Sequence, residues 1–576
     1  MPRELKVSIG QYSDKGRKET NQDFHGAVVP GQPALSLKGI AIALADGISS
    51  SSVSRIASES AIKSFLADYY CTSEAWSVKT SAQRVIAATN SWLHAQTRRS
   101  QYAYDRDKGY VCTLSVVVVK SATAHIFHVG DSRIYRVSGN ALEQLTEDHR
   151  VVVSSEQSYL GRALGANSQI DIDYREVPLE RGDVLVMATD GVYEHVGDAF
   201  IIRAIADHAA DLDRAARVIV EEAYKLGSPD NLTAQIVRVD ELPAGDAGEV
   251  LGSISELQLP PLLEARMIFD GYKVLRQIHA SSRSHIYLVA DTESDEIVAL
   301  KIPSIDLRGD EAYLKRFMME EWVARRIDNA HVLKPRLQSR KRNYLYVVTE
   351  YVEGKTLAQW MNDNPKPDLE AVRGIVEQIA RGLQAFHRLE MLHQDLRPQN
   401  IMIDTKGTVK IIDFGATRVA GVIEASPILN GNDILGTMQY TAPEYFLAEG
   451  GSPRSDLFSL GVIAYQMLTG QLPYGAQVAQ ARTRSKQRQL AYHSARGRNP
   501  DVPLWVDGAL EKAVHPDPHK RYEALSEFVF DLRHPREEFL RSSPPPLLER
   551  SPQLFWKGLS FLLACAVLAL LAFPMR

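Results

Sequence analysis

Cysteine is scarce: Cys71, Cys112 and Cys565 lie far apart in 576 residues. They match no disulfide framework and no metal-ligand spacing, and the scarcity fits a reducing compartment. Charge of one sign is also lacking. A formal net charge of -5 over such a length provides no basic field for nucleic acid and no acidic tail. The opening MPRELKVSIG has no apolar core of signal-peptide length, so the bulk of the chain is expected to stay where it is made. Short-period repeats are absent. Glycine is missing from the hairpin-like LRQIHASSRSHIYLVAD, Leu275 to Asp291, where His279, Ser281 and Ser284 stand instead. A backbone carrying side chains has less freedom to approach a ligand closely than one built from glycine.

What is present is an ordinary globular composition, 45% hydrophobic and 24% charged, in a chain too long for one core. Residues 1–240 alternate β-branched runs (GIAIALADG, CTLSVVVVK, DVLVMATDG) with helical spacings (SVSRIASESAIKSFLADYY), the pattern of an α/β sandwich. Residues 241–267, rich in Gly, Pro and acidic side chains, read as a linker. In residues 268–535 strands come first and helices follow, an α+β arrangement with a small β-rich lobe beside a larger helical one. Residues 536–555 form a Pro-rich linker, and residues 556–574 contain the one long apolar run, GLSFLLACAVLALLAF.

That run is expected to be a single transmembrane helix. Its sixteen residues reach roughly 24 Å against a hydrocarbon core of roughly 30 Å, so Leu554, Phe555 and a snorkelling Lys557 would have to help. Arg541, Arg550 and Lys557 precede it and one arginine follows, which would keep the large N-terminal part cytoplasmic, anchored at a bacterial inner membrane.

In the first domain the aspartates fall at strand ends. Asp46 closes GIAIALAD and precedes Gly47; Asp190 closes DVLVMATD and precedes Gly191; Asp131 lies in the turn of HVGDSRIYRV and Asp230 in GSPDNLT. One Asp-Gly after a strand is usually only a turn. Four gathered carboxylates suit hard divalent cations such as Mg²⁺ or Mn²⁺, and a pair of such ions can clamp a phosphoryl group and activate water.

In sequence order SDKGRKETNQD, ADG, CTLSVVVV, HVGDSRIYRV, LTEDH, RALG, GDVLVMATDGVYE and SPDNLT resemble the metal-dependent type 2C serine/threonine phosphatases over residues 7–238. The resemblance implies that Asp46 bridges two metals with the Gly47 carbonyl on one of them. Asp190 and Asp230 would complete the other, Asp23 would join through water, and Asp131 would serve a third ion. The family's phosphate-holding arginine is replaced by Lys18, with Arg17 adjacent. The loop after Gly47, ISSSSVSR, departs from the family's glycine-rich continuation.

In the second domain IVALKIP, RFMMEEWVARRI, HQDLRPQNIMID, VKIIDFG, GTMQYTAPE, SDLFSLGVIAYQMLTGQLPY and Arg521 resemble, in that order, the protein kinase family over roughly residues 270–533. The resemblance implies ATP with Mg²⁺ as cofactor. Lys301 would meet the α- and β-phosphates, held by Glu320 with Glu321 as the fallback, and Ile278, Ser281 and Ser284 would line the nucleotide. Asp395 would accept the substrate's proton, and Asn400 and Asp413 would hold the ions. Pro398 is similar to the serine/threonine class. Gln394 replaces the arginine that normally meets a phosphorylated activation loop, so this kinase is expected not to wait for that phosphorylation. Thr417, Ser426 and Thr437 are candidate autophosphorylation sites.

The whole resembles bacterial proteins that fuse a type 2C phosphatase to a serine/threonine kinase. Expected partners are phosphorylated and unphosphorylated protein substrates, its own kinase domain among them, and the membrane. Two other readings stay open: an active phosphatase with a pseudokinase sensor, and a membrane scaffold with neither activity.

Overall fold

The structure, a computed structural model, describes residues 4–105, 108–154, 157–243, 257–281, 283–307, 310–336, 340, 342–425 and 438–540, with 556, 557, 559, 560 and 563. The N-terminal half is built on two five-stranded antiparallel sheets. With strands β1 (Lys6–Asp14), β2 (Phe24–Val28), β3 (Ile40–Ala45), β4 (Leu114–Lys120), β5 (Thr123–Val129), β6 (Arg133–Ser138), β7 (Ala141–Gln144), β8 (Arg150–Ser154), β9 (Gln157–Leu160), β10 (Asp173–Pro178), β11 (Val184–Ala188) and β12 (Leu232–Glu241), their orders are β1-β12-β11-β6-β7 and β10-β5-β4-β3-β2. Strands β3 and β4 are buried along their whole length because both faces are covered. Successive side chains point to opposite faces. Ile40, Ile42, Leu44, Val117 and Val119 therefore meet Leu185, Met187, Val237 and Val239 of the other sheet. Ala41, Ala43, Ala45, Val116 and Val118 meet Ala57, Ala61, Ile62 and Phe65 of the helix Ser54–Cys71 and Val85 and Ile86 of the helix Val78–Arg99. The small alanines let those helices lie close. The helices Asp198–Asp207 and Leu212–Lys225 cover the outer face of the first sheet. The α/β sandwich read from the sequence is thus a four-layer one.

Within this core His128 is 1% exposed, with its ring nitrogens beside Ser115 Oγ (2.9 Å), the Gly130 carbonyl (3.0 Å) and the Glu147 carbonyl (3.1 Å). Burial, and then the neighbouring His149, lower its pKa from 6.5 to about 4. Its folded-state pKa lies below its unfolded one, so the unfolded chain takes up the proton first on acidification. We expect the N-terminal half to lose up to about 3 kcal/mol of stability between pH 6.5 and 4 from this residue, and His128→Gln to flatten that slope in urea titrations run across the range.

The C-terminal half has two lobes. The sheet β13 (Ile268–Phe269), β14 (Tyr272–Ala280), β15 (Ser284–Asp291), β16 (Ile297–Pro303) and β17 (Val347–Glu350) packs with the helix Glu311–Arg326 in the small lobe. The large lobe gathers the helices Leu369–Arg388, Pro453–Thr469, Leu504–Ala513 and Leu525–Arg533 around one core. Helix Leu369–Arg388 carries its apolar side chains at helical spacing, burying Val372, Ile375, Val376, Ile379, Leu383 and Phe386. A bidentate pair, Arg521 to Glu444 at 2.8 Å twice, sits fully inside this lobe, with Ser455 Oγ donating to Glu444 at 2.6 Å. Its interior position makes each partner necessary to the other's solvation.

The expected C-terminal membrane anchor is overturned: among the described residues no helix is long and apolar enough to cross a membrane. The sixteen-residue apolar run is itself short of the roughly 30 Å hydrocarbon core. Most of 556–574 lies outside the described residues; Trp556, Lys557 and Leu563 within it are exposed.

Candidate active sites

In the N-terminal half the strand ends deliver the acidic groups. Asp46 follows β3 directly, and its backbone is pinned on both sides by Thr113 at the head of β4: Thr113 Oγ1 accepts from Asp46 N and Thr113 N donates to the Asp46 carbonyl, each at 2.8 Å. A Cβ on Gly47 would come within 2.8 Å of the Gln22 carbonyl, so glycine is what lets the Asp46 and Asp23 segments approach. Asp23 Oδ2 accepts from Thr233 Oγ1 (2.6 Å) and Thr189 Oγ1 (3.0 Å), while its Oδ1 is buried with no hydrogen-bond partner. Asp190 opens the short helix after β11, and Asp230 precedes β12.

These carboxylates disturb one another. Burial, followed by Asp23, Asp190, Asp131 and Asp230, raises the Asp46 pKa well above the usual carboxylate range. Burial raises Asp23 to about 6 and, with Asp131 and Asp230, Asp190 to about 7. Two cations answer part of the charge. Arg150 binds Asp131 (2.7 Å), Asp190 (2.9 Å) and Glu194 (2.6 Å), and Lys18 Nζ binds Asp230 (2.7 Å) and Ser49 Oγ (2.6 Å). With these cations on the carboxylates, no three acidic, histidine or cysteine side chains converge into a finished metal cage among the described residues. The donor set nevertheless suits a hard divalent cation. It is all oxygen, it is strained by its own negative charge, and it keeps the orphaned Asp23 Oδ1.

Of the residues expected here, the structure brings Asp23, Asp46, Gly47, Asp131, Asp190, Asp230 and Lys18 together. Arg17 is not brought in: its guanidinium lies exposed over the Tyr224 ring and donates to the Gly227 carbonyl at 3.3 Å. Arg150 and Glu194 were missed by motif reading. Arg150 directly follows LTEDH, but its role depends on reaching residues 19, 40 and 44 positions away.

In the C-terminal half Lys301 on β16 pairs with Glu320 at 2.6 Å and lies 3.6 Å from Asp413 Oδ1. Burial alone would lower the Lys301 pKa, but Asp413 and Glu320 together raise it, so the ammonium stays charged. Burial raises Glu320; Asp413, which burial would also raise, is held below its ordinary value by Lys301 and the Gly415 amide (3.1 Å). Glu321, the fallback partner, is taken by Arg342 and Arg325 instead. Asn400 Nδ2 donates to the Asp395 carbonyl (2.9 Å) and to Asp395 Oδ2 (3.1 Å), and Arg397 Nε lies 3.6 Å from the same oxygen.

The catalytic loop is fixed from behind by a residue that sequence reading did not single out. Asp456, fully buried, accepts from His393 N (3.0 Å), Gln394 N (3.0 Å) and the His387 ring (2.9 Å). Those bonds hold Gln394 at φ +66°, and its side chain donates to Tyr445 Oη at 3.3 Å.

The hairpin of β14 and β15 departs from expectation. Ser281 Oγ accepts from Ser284 N (3.1 Å) and lies 3.2 Å from the Ser284 carbonyl, so this hydroxyl closes its own turn rather than reaching out to phosphate. Ser284 is buried, Ile278 half-buried and His279 exposed. Thr417 has a buried hydroxyl without a hydrogen-bond partner, and Ser426 and Thr437 lie outside the described residues.

Two folds, each with acidic groups at its own site, define a chain of two enzyme-like domains, and comparison with known families agrees. Residues 11–232 match the family model for protein phosphatase 2C, and residues 272–529 that for the protein kinase domain. The chain carries a protein phosphatase 2C domain followed by a protein kinase domain. It is similar to the serine/threonine-protein kinase PrkC of Bacillus subtilis (strain 168), 31% identical over 274 residues, 47% of this chain and 41% of that protein. The chain thus spans less than half the length of that relative. Solved structures it resembles include the Mycobacterium tuberculosis PknI kinase domain (24% identity, 47% of this chain, 98% of that one, TM-score 0.37) and the serine/threonine phosphatase PstP/Ppp of the same organism (21%, 41% and 99%, TM-score 0.35).

Proposed function

We propose that the chain is a bifunctional signalling enzyme, hydrolysing phosphoserine and phosphothreonine in proteins with its N-terminal half and phosphorylating protein serine and threonine from ATP with its C-terminal half. The observation that carries the kinase reading is the intact set Lys301–Glu320 at 2.6 Å, Lys301–Asp413 at 3.6 Å and Asn400–Asp395 at 3.1 Å. A chain that only sensed nucleotide would have no use for an Asp395 braced by Asn400.

Divalent cations of the Mg²⁺ or Mn²⁺ class, when bound, neutralise phosphoryl charge and, in the phosphatase half, activate water. Asp23, Asp46, Asp190 and Asp230 would hold them there, and Asp413 and Asn400 in the kinase half. Lys18 supplies positive charge at the phosphatase rim as a point charge without arginine's fork. In the kinase half Lys301 holds the nucleotide phosphates, and Glu320 aims it. Asp395 accepts the proton as the substrate oxygen bonds to the γ-phosphorus and the bond to the β-phosphate oxygen breaks, releasing ADP. Protein substrates of the phosphatase would include the chain's own kinase half.

The test uses the purified full chain with terminally labelled ATP and, separately, a phosphothreonine peptide. Label transfer to protein and phosphate release are both expected with Mg²⁺ or Mn²⁺ and are both expected to vanish in EDTA. Phosphate release without any label transfer would leave the pseudokinase reading standing.

A further inference from the structure

The two halves are joined by a charged and largely buried contact remote from the phosphatase carboxylates. Lys120, at the far end of β4 from Thr113, is fully buried; its Nζ donates to the Gly421 carbonyl at 2.7 Å and pairs with Glu424 at 3.1 Å. Seven residues of strand put it about 20 Å from the Asp46 end. The N-terminus of the helix Val78–Arg99 receives two kinase carboxylates. Glu390 accepts from Ser77 N (2.7 Å), Ser77 Oγ (2.9 Å) and Thr80 Oγ1 (2.7 Å), and Glu424 accepts from Val78 N (3.0 Å). Carboxylates in that position satisfy orphan amides and the helix dipole. Trp76 Nε1 donates to the Arg388 carbonyl (2.8 Å), Gly421 N to the Ala75 carbonyl (3.0 Å), and Arg326 pairs with Glu74. Leu37 and Ala75, 1% and 0% exposed, are part of the kinase's own large-lobe core.

Each kinase element touched here leads to a reacting group. Arg326 ends the helix that carries Glu320. Arg388 and Glu390 precede the loop of Asp395. The helix Ala420–Ala425 continues from Asp413 and Gly415. The residue before Asp395 is the neutral Gln394, its side chain turned toward Tyr445. Gly421 shows how close the fit is, since a Cβ there would meet the carbonyls of Trp76 at 2.6 Å and Glu74 at 2.7 Å.

We propose that the phosphatase half is a positioning part of the kinase site: Lys120 and the N-terminus of the helix Val78–Arg99 hold the segment behind Asp413 and thereby set the rate of phosphoryl transfer. The inference rests on the kinase reading above. It is tested in the full chain by Lys120→Met, on the phosphatase side, and Gly421→Leu, on the kinase side, with Lys120→Arg as the conservative variant. Both disruptive variants are expected to lower kcat for ATP transfer about tenfold, within the range of coupling between sites, with KM for ATP within about twofold of the parent. Phosphatase turnover should be unchanged, and Lys120→Arg should retain most of the transfer rate. Amide hydrogen exchange is expected to quicken in residues 311–326 and 418–424 of both disruptive variants. Parental kcat and parental exchange in either variant would overturn the proposal. If the parent chain itself transferred no phosphate, the kinase reading would fail separately, and the exchange measurement alone would decide whether the contact holds these elements.

Discussion

Asp413→Asn is expected to lower ATP transfer by about 10²–10³-fold while leaving phosphopeptide hydrolysis at its parental rate. The side chain keeps its shape, so the Gly415 amide retains an acceptor and the loop has little reason to move. What is lost is the negative charge facing Lys301 at 3.6 Å, and with it the anionic ligand for the nucleotide's cation. Because Glu320 still pairs with Lys301 at 2.6 Å, the small lobe should keep its fold and its affinity for nucleotide without added cation. Label transfer and nucleotide binding measured on one preparation check both halves of the statement. A loss of binding without cation would instead mean that the site had collapsed.

Asp46→Asn should do the converse, and its second effect separates function from stability. Phosphopeptide hydrolysis is expected to fall about 10²–10³-fold, with the rate of ATP transfer to a separate protein substrate unchanged and more label retained on the chain's own kinase half. In metal-free buffer, however, the variant should melt higher than the parent by about 2–4 °C, which corresponds to about 1 kcal/mol for a domain of this size. The reason is that Asp46 sits buried among Asp23, Asp190, Asp131 and Asp230, all of which oppose its charge. Removing one charge relieves the others, as expected where a site is built for a ligand rather than for stability. Added Mn²⁺ should raise the parent's melting temperature and leave that of the variant nearly unmoved. Scanning calorimetry with and without the ion reads both.

Much of the fold and of both candidate sites was legible because the informative residues are local. Asp46, Asp190 and Asp413 each follow an apolar strand within two residues, and Asp395 and Asn400 lie in one short loop, so short stretches of sequence place them. The β-branched, nearly unbroken apolar runs of β3 and β4 were likewise legible as strands, and they are covered on both faces. The missed features depend on partners far away in the chain. Arg150 is an unremarked residue beside LTEDH until Asp190, 40 positions on, turns out to lie against it. Asp456 holds the catalytic loop from 62 positions away, and Lys120 meets Glu424 across 304. The serines of the first kinase hairpin show a different limit. Their chemistry allowed a phosphate contact, but Ser281 spends its hydroxyl on its own turn. The C-terminal run was read from its hydropathy and its flanking residues, and its sixteen residues fall short of a membrane's hydrocarbon thickness.

The central claim is that one chain holds two separate acidic sites of opposite chemistry. Its most direct test measures ATP transfer and phosphothreonine hydrolysis side by side on the full-length parent, on Asp46→Asn and on Asp413→Asn. The account predicts that the parent performs both reactions and that each variant loses one of them. If either substitution silenced both reactions, or neither of them, the two sites would not be the independent centres described.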